Sequence, residues 1–134
     1  MGEDEDRIRR TLSEYSQRCD DGRYDEWSQL FTEDARFVVS GTEARGRPAI
    51  RDLMTRMLPP GQGGKHITSN TLVDIDGDTA TSTTDYLFVR PTGAGPTIVA
   101  AGRYHDQLAR DGVDWKFRPR SITMLDDPGD ASGD

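Results

Sequence analysis

Ile8, Leu12, Tyr15 and Cys19 recur at spacings of four, three and four, which places them on one apolar stripe and predicts a first helix over about residues 5 to 21. Gly22 follows as a C-terminal cap, and Tyr24, Trp27, Leu30 and Phe31 then share one face of a second short helix, residues 23 to 31. The period changes next. "ARFVVSG" (35 to 41) reads as a short strand closed by Gly41, and "GRPAIRDLMTRML" (46 to 58) returns to helical spacing at Ile50, Leu53, Met54 and Met57, with Pro48 in its first turn. "PPGQGG" (59 to 64) breaks the chain. From Lys65 onward the pattern is that of strands: "KHITSNTLVDID" meets "TATSTTDYLFVR" across Gly77-Asp78, "TIVAAGRYHDQLAR" follows "PTGAGP", and "DWKFRPRSITML" follows "DGV". Long strands in succession predict an antiparallel meander, and helices first with strands afterwards is the α+β pattern, helices packed on one face of the sheet. Residues 1 to 125 read as a single domain, and the small, acidic, proline-broken stretch 126 to 134 is expected to be a disordered tail.

Charge and composition remove whole classes of partner. The formal net charge is -7 and Lys/Arg clusters are scarce, so neither nucleic acid nor an anionic membrane surface is an expected partner. There is one cysteine, Cys19, so no intrachain disulfide is possible, and with two histidines the usual Cys/His zinc sets cannot be assembled. No metal and no other cofactor is expected. The N-terminal "MGEDEDRIRR" lacks an apolar core and no run of about eighteen apolar residues occurs, so the sequence reads as a cytoplasmic chain without signal peptide or membrane span.

The frame Tyr15, Asp20, Gly22, Asp25, Leu30-Phe31, Asp34-Ala35, then "GTEARGRPAIRDLM", "KHITSN", "DGDTATSTTDY" and "GRYHDQLARDGVDWKFRPRSI", resembles the SnoaL-like branch of the nuclear transport factor 2-like superfamily over about residues 7 to 125. The resemblance implies a cone, a strongly curved and mostly antiparallel sheet wrapped around N-terminal helices (a cystatin-like α+β roll), with a deep pocket at the open end. Enzymes of that superfamily include scytalone dehydratase, a hexachlorocyclohexane dehydrochlorinase, ketosteroid isomerase, limonene epoxide hydrolase and polyketide cyclases, so membership alone fixes no reaction. In the dehydratase and dehydrochlorinase members, an aspartate near the end of the first helix pairs with a histidine that opens the strand after the glycine-rich loop. Asp20 and His66 occupy those places. Relative to scytalone dehydratase, Cys19 stands where a tyrosine precedes the aspartate, Val39 replaces a second tyrosine, and the second catalytic histidine has no counterpart.

The residues themselves bear on the same pair. At about 100° per residue, Asp20 falls on the flank of the stripe and Asp21 nearly opposite, so Asp20 can face a pocket while Asp21 faces solvent; the plain alternative for both is a solvated helix end. Strict alternation sets His66 on the face opposite Ile67, Val73 and Ile75, and only a bulge near "TSN" would reverse the register and turn His66 inward. Imidazole titrates near neutrality and suits proton removal. His105 lies with Arg103 and Gln107 on the face that also carries Val99 and Ala101, a face expected to be covered by a second copy in a homodimer. Tyr104, beside Gly102 and Ala100 on the apolar face, is either a pocket wall or core. Trp115 and Phe117 alternate inward, and Pro119 marks an edge or a bulge. A bulge would turn Arg120, Ile122 and Met124 inward, where Arg120 could neutralise a developing anion; otherwise Arg120 is a surface ion pair.

The expected site is therefore Asp20 and His66 as catalytic residues, inside the largest pocket, with Tyr15, Trp27, Phe37, Phe88, Tyr104 and Arg120 contacting a hydrophobic small molecule. Three functions compete: a lyase of dehydratase or dehydrohalogenase type, an isomerase or polyketide cyclase that uses Asp20 as proton shuttle, and a non-catalytic ligand-binding or dimerisation module whose cavity is filled by Phe37, Trp27 and Phe88.

Overall fold

The computed structural model describes residues 2 to 127. Helix α1 (Glu3–Asp20) buries Ile8, Leu12, Tyr15 and Cys19 with Thr11 and Ser16, and four acidic residues, Glu3 to Asp6, sit in its first turn, where the positive end of the helix dipole favours them. It ends in a Schellman turn: Gly22, at φ +72°, donates to Cys19 O at 3.0 Å, and Arg23 N–H reaches Arg18 O at 2.9 Å. That left-handed step turns the chain directly into α2 (Tyr24–Ser28).

Helix α2 is shorter than its apolar spacing predicts. Phe117 donates its N–H to Leu30 O at 3.0 Å, and Phe31 pairs with Phe117, so the sheet captures residues that helical periodicity had claimed. Strand β1 (Phe31–Val39) thus begins before residue 35, and Ser40 and Gly41, at φ 48° and 80°, form a tight turn into β2 (Thr42–Arg45). That second strand was not expected, because its polar residues carry no apolar alternation. Helix α3 (Arg47–Met57) buries Ile50, Leu53 and Met54, while Met57, counted on the same stripe, is half out in solvent. The remaining strands are β3 (Lys65–Asp76), β4 (Thr79–Thr92), β5 (Gly95–Asp111) and β6 (Asp114–Met124).

All six strands form one sheet in the order β2-β1-β6-β5-β4-β3. Every pairing is antiparallel except β1 with β6. The fold is α+β, a mostly antiparallel curved sheet with the helices on its inner side. Bulges supply the curvature. Between β3 and β4 the register shifts after Ser69, where Asn70 (φ 56°) and Thr71 stand opposite Thr84 alone. Between β5 and β6, Arg118 and Pro119 stand opposite Gln107 alone. The core between helices and sheet is aromatic: Trp27 packs on Phe31 and Phe37 with ring centroids 5.2 and 5.8 Å apart, and Phe31 on Phe117 at 5.4 Å. From residue 128 on, the tail expected to be disordered lies outside the described residues.

Candidate functional site

Two buried polar groupings occupy the inner side of the sheet. The first is at the end of α1. Asp20 is the last helical residue, and its carboxylate accepts the backbone N–H of His66 at 3.0 Å (Oδ2) and meets His66 Nδ1 at 2.6 Å (Oδ1). Both side chains are largely buried, at 6% exposure for Asp20 and 11% for His66, whereas Asp21 is exposed. Because an ionised carboxylate can only accept, this contact assigns the proton of neutral His66 to Nδ1 and leaves Nε2 as the free basic nitrogen. The bulge at Asn70 and Thr71 is what places His66 on the inner face together with Val73, with Ile67 pointing outward. Gly64 brings this strand start close to its neighbour, since a Cβ there would lie 2.2 Å from Val89 O. The His66 ring packs on Phe88 at 4.5 Å and faces Tyr86 at 6.0 Å.

The wall around the dyad is apolar and chemically quiet. Burial first, and the Asp20 charge second, push the Cys19 thiol up to about 12; the group stays protonated, and its Sγ lies 3.8 Å from Met54 Sδ. Tyr24 donates its hydroxyl to Leu58 O at 2.5 Å, which ties α2 to the end of α3.

The second grouping lies deeper. Arg120 and Asp106 are buried to 1% and 0% exposure, with Arg120 Nε 3.0 Å from Asp106 Oδ1. They are an ion pair by distance, yet the two atoms are not aligned for a hydrogen bond, and Arg120 Nη1 has no partner either. Ser82 donates its hydroxyl to the other Asp106 oxygen at 3.2 Å. The guanidinium lies over the rings of Tyr104 at 3.6 Å, Tyr15 at 4.0 Å and Phe117 at 4.4 Å. Burial raises the Asp106 carboxyl, with Arg120 opposing that shift, and burial pushes both Tyr15 and Tyr104 well above the usual phenol range, so their hydroxyls remain donors.

The sequence expectations divide against this geometry. Asp20 and His66 are brought together, and Phe88 lies against them. Arg120 is not a surface ion pair: the bulge at Pro119 turns it into the core. Trp27 and Phe37 are fully buried and packed edge to face, so they are core residues instead of presenting a surface to a ligand; Tyr15 is equally enclosed among Trp27, Phe31, Tyr104 and Phe117, and Tyr104 is as deeply buried. A large cleft, about 880 Å³, lies away from the dyad. It is lined by residues of β4, β5 and the end of β6, including Leu87, Arg103, His105, Leu125 and Asp127, and Asp20 and His66 are absent from its wall. Asp106 was missed. It continues the stripe Ala100, Gly102, Tyr104 and Leu108 at every second position, and a lone carboxylate on an otherwise apolar face was the available signal.

These features coincide with a known lineage. The chain belongs to the SnoaL-like domain family, which matches residues 2–121. Among solved structures it is similar to a nuclear transport factor 2-like protein with a cystatin-like fold from Novosphingobium aromaticivorans, at 26% identity over 98% of this chain and 88% of that one, with a TM-score of 0.86. A Mycobacterium tuberculosis protein of unknown function is 29% identical over 94% of this chain and 74% of that one, with a TM-score of 0.83. A putative scytalone dehydratase from Novosphingobium aromaticivorans shares the fold at 22% identity over 89% of this chain and 82% of that one, with a TM-score of 0.76. No curated protein matches the chain. Among the described residues no helix is long and apolar enough to cross a membrane.

Proposed function

We propose that this chain is a cofactor-independent lyase of dehydratase or dehydrohalogenase type, acting on a hydrophobic small molecule, with His66 as general base and Asp20 as the residue that orients it. His66 Nε2 takes a proton from carbon, the C–H electron pair becomes the new double bond, and the leaving group departs from the neighbouring carbon with its own bonding pair. A departing hydroxide recovers the proton from the imidazolium and leaves as water. The observation that carries this reading is the double use of the Asp20 carboxylate, which holds both the backbone N–H and the ring Nδ1 of His66. A ring fixed at two points by one carboxylate, backed by Phe88, is preorganised for proton transfer at its other nitrogen. The same double engagement argues against Asp20 as a free proton shuttle of the isomerase or cyclase kind.

The test is exchange of α-protons for deuterium in a panel of aromatic ketones, followed by NMR in heavy water, which reads proton abstraction without requiring the natural leaving group. Wild type should accelerate exchange in at least one member, and His66→Gln should abolish the acceleration. Acceleration that survives in His66→Gln supports Asp20-driven chemistry, and none with any ketone supports the binding module. That third reading has its own support in the aromatic filling of the cone by Trp27 and Phe37. Self-association through the outer sheet face belongs to the proposal as well. Ile67, Leu87 and Ala101 follow one another across β3, β4 and β5 on that face, with exposed Leu125 bonded back to Ala101 O, an apolar row suited to a second copy of the same chain.

A further inference from the structure

We infer that the depression bordered by Lys65 and Arg90, at the strand start that carries His66, binds a carboxylate through the Arg90 guanidinium, and that the ligand of the dyad is consequently an apolar body bearing a carboxylate remote from its reacting carbon. The inference rests on the reading of Asp20 and His66 as the ligand site, though not on the chemistry assigned to His66. Its basis is which cations this acidic chain leaves uncommitted. Acidic side chains outnumber Lys and Arg by 24 to 17. Every lysine and arginine except Arg47, Arg56, Lys65 and Arg90 forms an ion pair with a carboxylate. Arg47 donates Nε to Phe31 O at 2.8 Å, and Arg56 stands in the last turn of α3, where the negative end of the helix dipole favours a cation. Lys65 and Arg90 remain, without an ion-pair partner among the described residues, and both line one depression of about 290 Å³.

The geometry ties Arg90 to the dyad. Alternation along β4 puts it on the face of Phe88, one step nearer the end of the strand. A Cβ on Gly64 would lie 2.9 Å from Arg90 Cγ and 3.1 Å from Phe88 Cζ, so the arginine stem and the phenylalanine ring cross the same bare backbone two residues before His66. The Phe88 ring packs in turn on the His66 ring at 4.5 Å. Arg90 is half-buried, and its planar fork suits a carboxylate held at two oxygens. Lys65 is exposed and pairs in register with Val89 on the outer face, so it adds positive potential at the rim. The remaining walls, Gly64, Val89, Pro91 and Pro96, bring no side-chain acceptor to compete with a ligand. In a chain of formal charge -7 an anion is disfavoured over most of the surface, and two uncommitted cations at one rim are the local exception. A ligand anchored on Arg90 lies with its apolar body along Phe88 and its C–H toward His66 Nε2. The carboxylate takes no part in the electron flow; it fixes which carbon meets the base.

The test reads binding, so its failure is separable from failure of the His66 chemistry. The probes are 2-naphthoate and its neutral counterpart 2-naphthamide, titrated by calorimetry and followed at the His66 ring signals by NMR. Wild type should bind the naphthoate about 10-fold more tightly than the amide, with the preference shrinking as salt is raised, and the His66 signals should move on binding. Arg90→Gln keeps the stem that lies against Gly64 and removes only the charge, so its unfolding transition should match wild type while its affinity for naphthoate falls to that for the amide. Lys65→Gln should reduce the preference by a smaller factor. A carboxylate preference that persists when His66→Gln has lost all proton exchange supports the inference and discards the lyase reading alone. Equal affinity of wild type for the two probes, a preference that survives Arg90→Gln, or naphthoate binding that leaves the His66 signals in place would each overturn it.

Discussion

The two carboxylate–cation pairs inside this cone use the same chemistry to opposite effect. Asp20 and His66 sit where α1 ends and β3 begins, both oxygens of the Asp20 carboxylate are engaged by His66, and the ring keeps one nitrogen free. Asp106 and Arg120 sit further in, closer to fully buried, 3.0 Å apart and yet misaligned, with donors left unused. The first pair is held by backbone as well as side chain and is therefore fixed in geometry. The second is held by packing against three aromatic rings, and its polar capacity is not exhausted by the fold. A satisfied pair costs the protein little and positions one atom; an unsatisfied pair costs stability.

The largest expected effect comes from breaking the inner pair. Arg120→Met should destabilise the fold by about 3–5 kcal/mol in urea denaturation, since Asp106 is left as a buried charge without its cation. Adding Asp106→Asn in the same chain should recover much of that loss. If the single and double variants unfold at the same denaturant concentration, the pair is not coupled as described.

Breaking the outer pair should cost function and spare stability. Asp20→Asn should reduce α-proton exchange by about 100-fold or more through misorientation of the imidazole, while Asp21→Asn, at an exposed position, should change stability by less than about 0.5 kcal/mol and exchange not at all. Equal effects of the two substitutions would erase the distinction between them.

Between these lies the strand start that delivers His66. Gly64→Ala puts a Cβ against Val89 O at 2.2 Å, a backbone contact that cannot yield, and should cost about 1–3 kcal/mol while also lowering exchange, because β3 must move away from β4 next to His66. A variant of full stability and activity would show that this approach is not needed.

Titration separates the pairs in a smaller way. Burial holds the Asp106 carboxyl above its ordinary value against the pull of Arg120. The folded protein then keeps a proton that the unfolded chain has released, and stability falls as pH rises from about 3.9 through the raised folded value. Asp106→Asn should lack that slope, so its stability relative to wild type should improve as pH is raised across this window. Parallel pH profiles would show that Asp106 carries no such penalty. The outer face should respond least in fold and most in assembly: Leu87→Lys should leave the unfolding transition nearly unchanged while shifting sedimentation of the proposed dimer to monomer.

The sequence carried the helices and the long strands because their periods are unambiguous; it lost the end of α2 and the whole of β2 because tertiary pairing, not local pattern, decided both. Leu30 and Phe31 fit a helical face and a strand start equally well, and only the Phe117 partner distinguishes them. The site was legible in part for the same reason. His66 faces inward through a bulge at Asn70 and Thr71, and Arg120 through one at Pro119. Proline announces its bulge, whereas Asn-Thr announces nothing that alternation can read. Asp106 escaped notice because a stripe of Ala, Gly, Tyr and Leu reads as core, and a single carboxylate within it looks like a break in pattern until Arg120 is known to sit opposite.

The central claim, that Asp20 fixes His66 as an Nδ1–H tautomer with Nε2 free, is open to one direct measurement. Long-range ¹H–¹⁵N NMR of the imidazole in its neutral form distinguishes the protonated from the unprotonated ring nitrogen. Wild type and Asp21→Asn should both show the proton on Nδ1, and Asp20→Asn should show a loss of that preference. A proton on Nε2 in the wild-type protein would contradict the account, because the nitrogen assigned to proton removal would already be occupied.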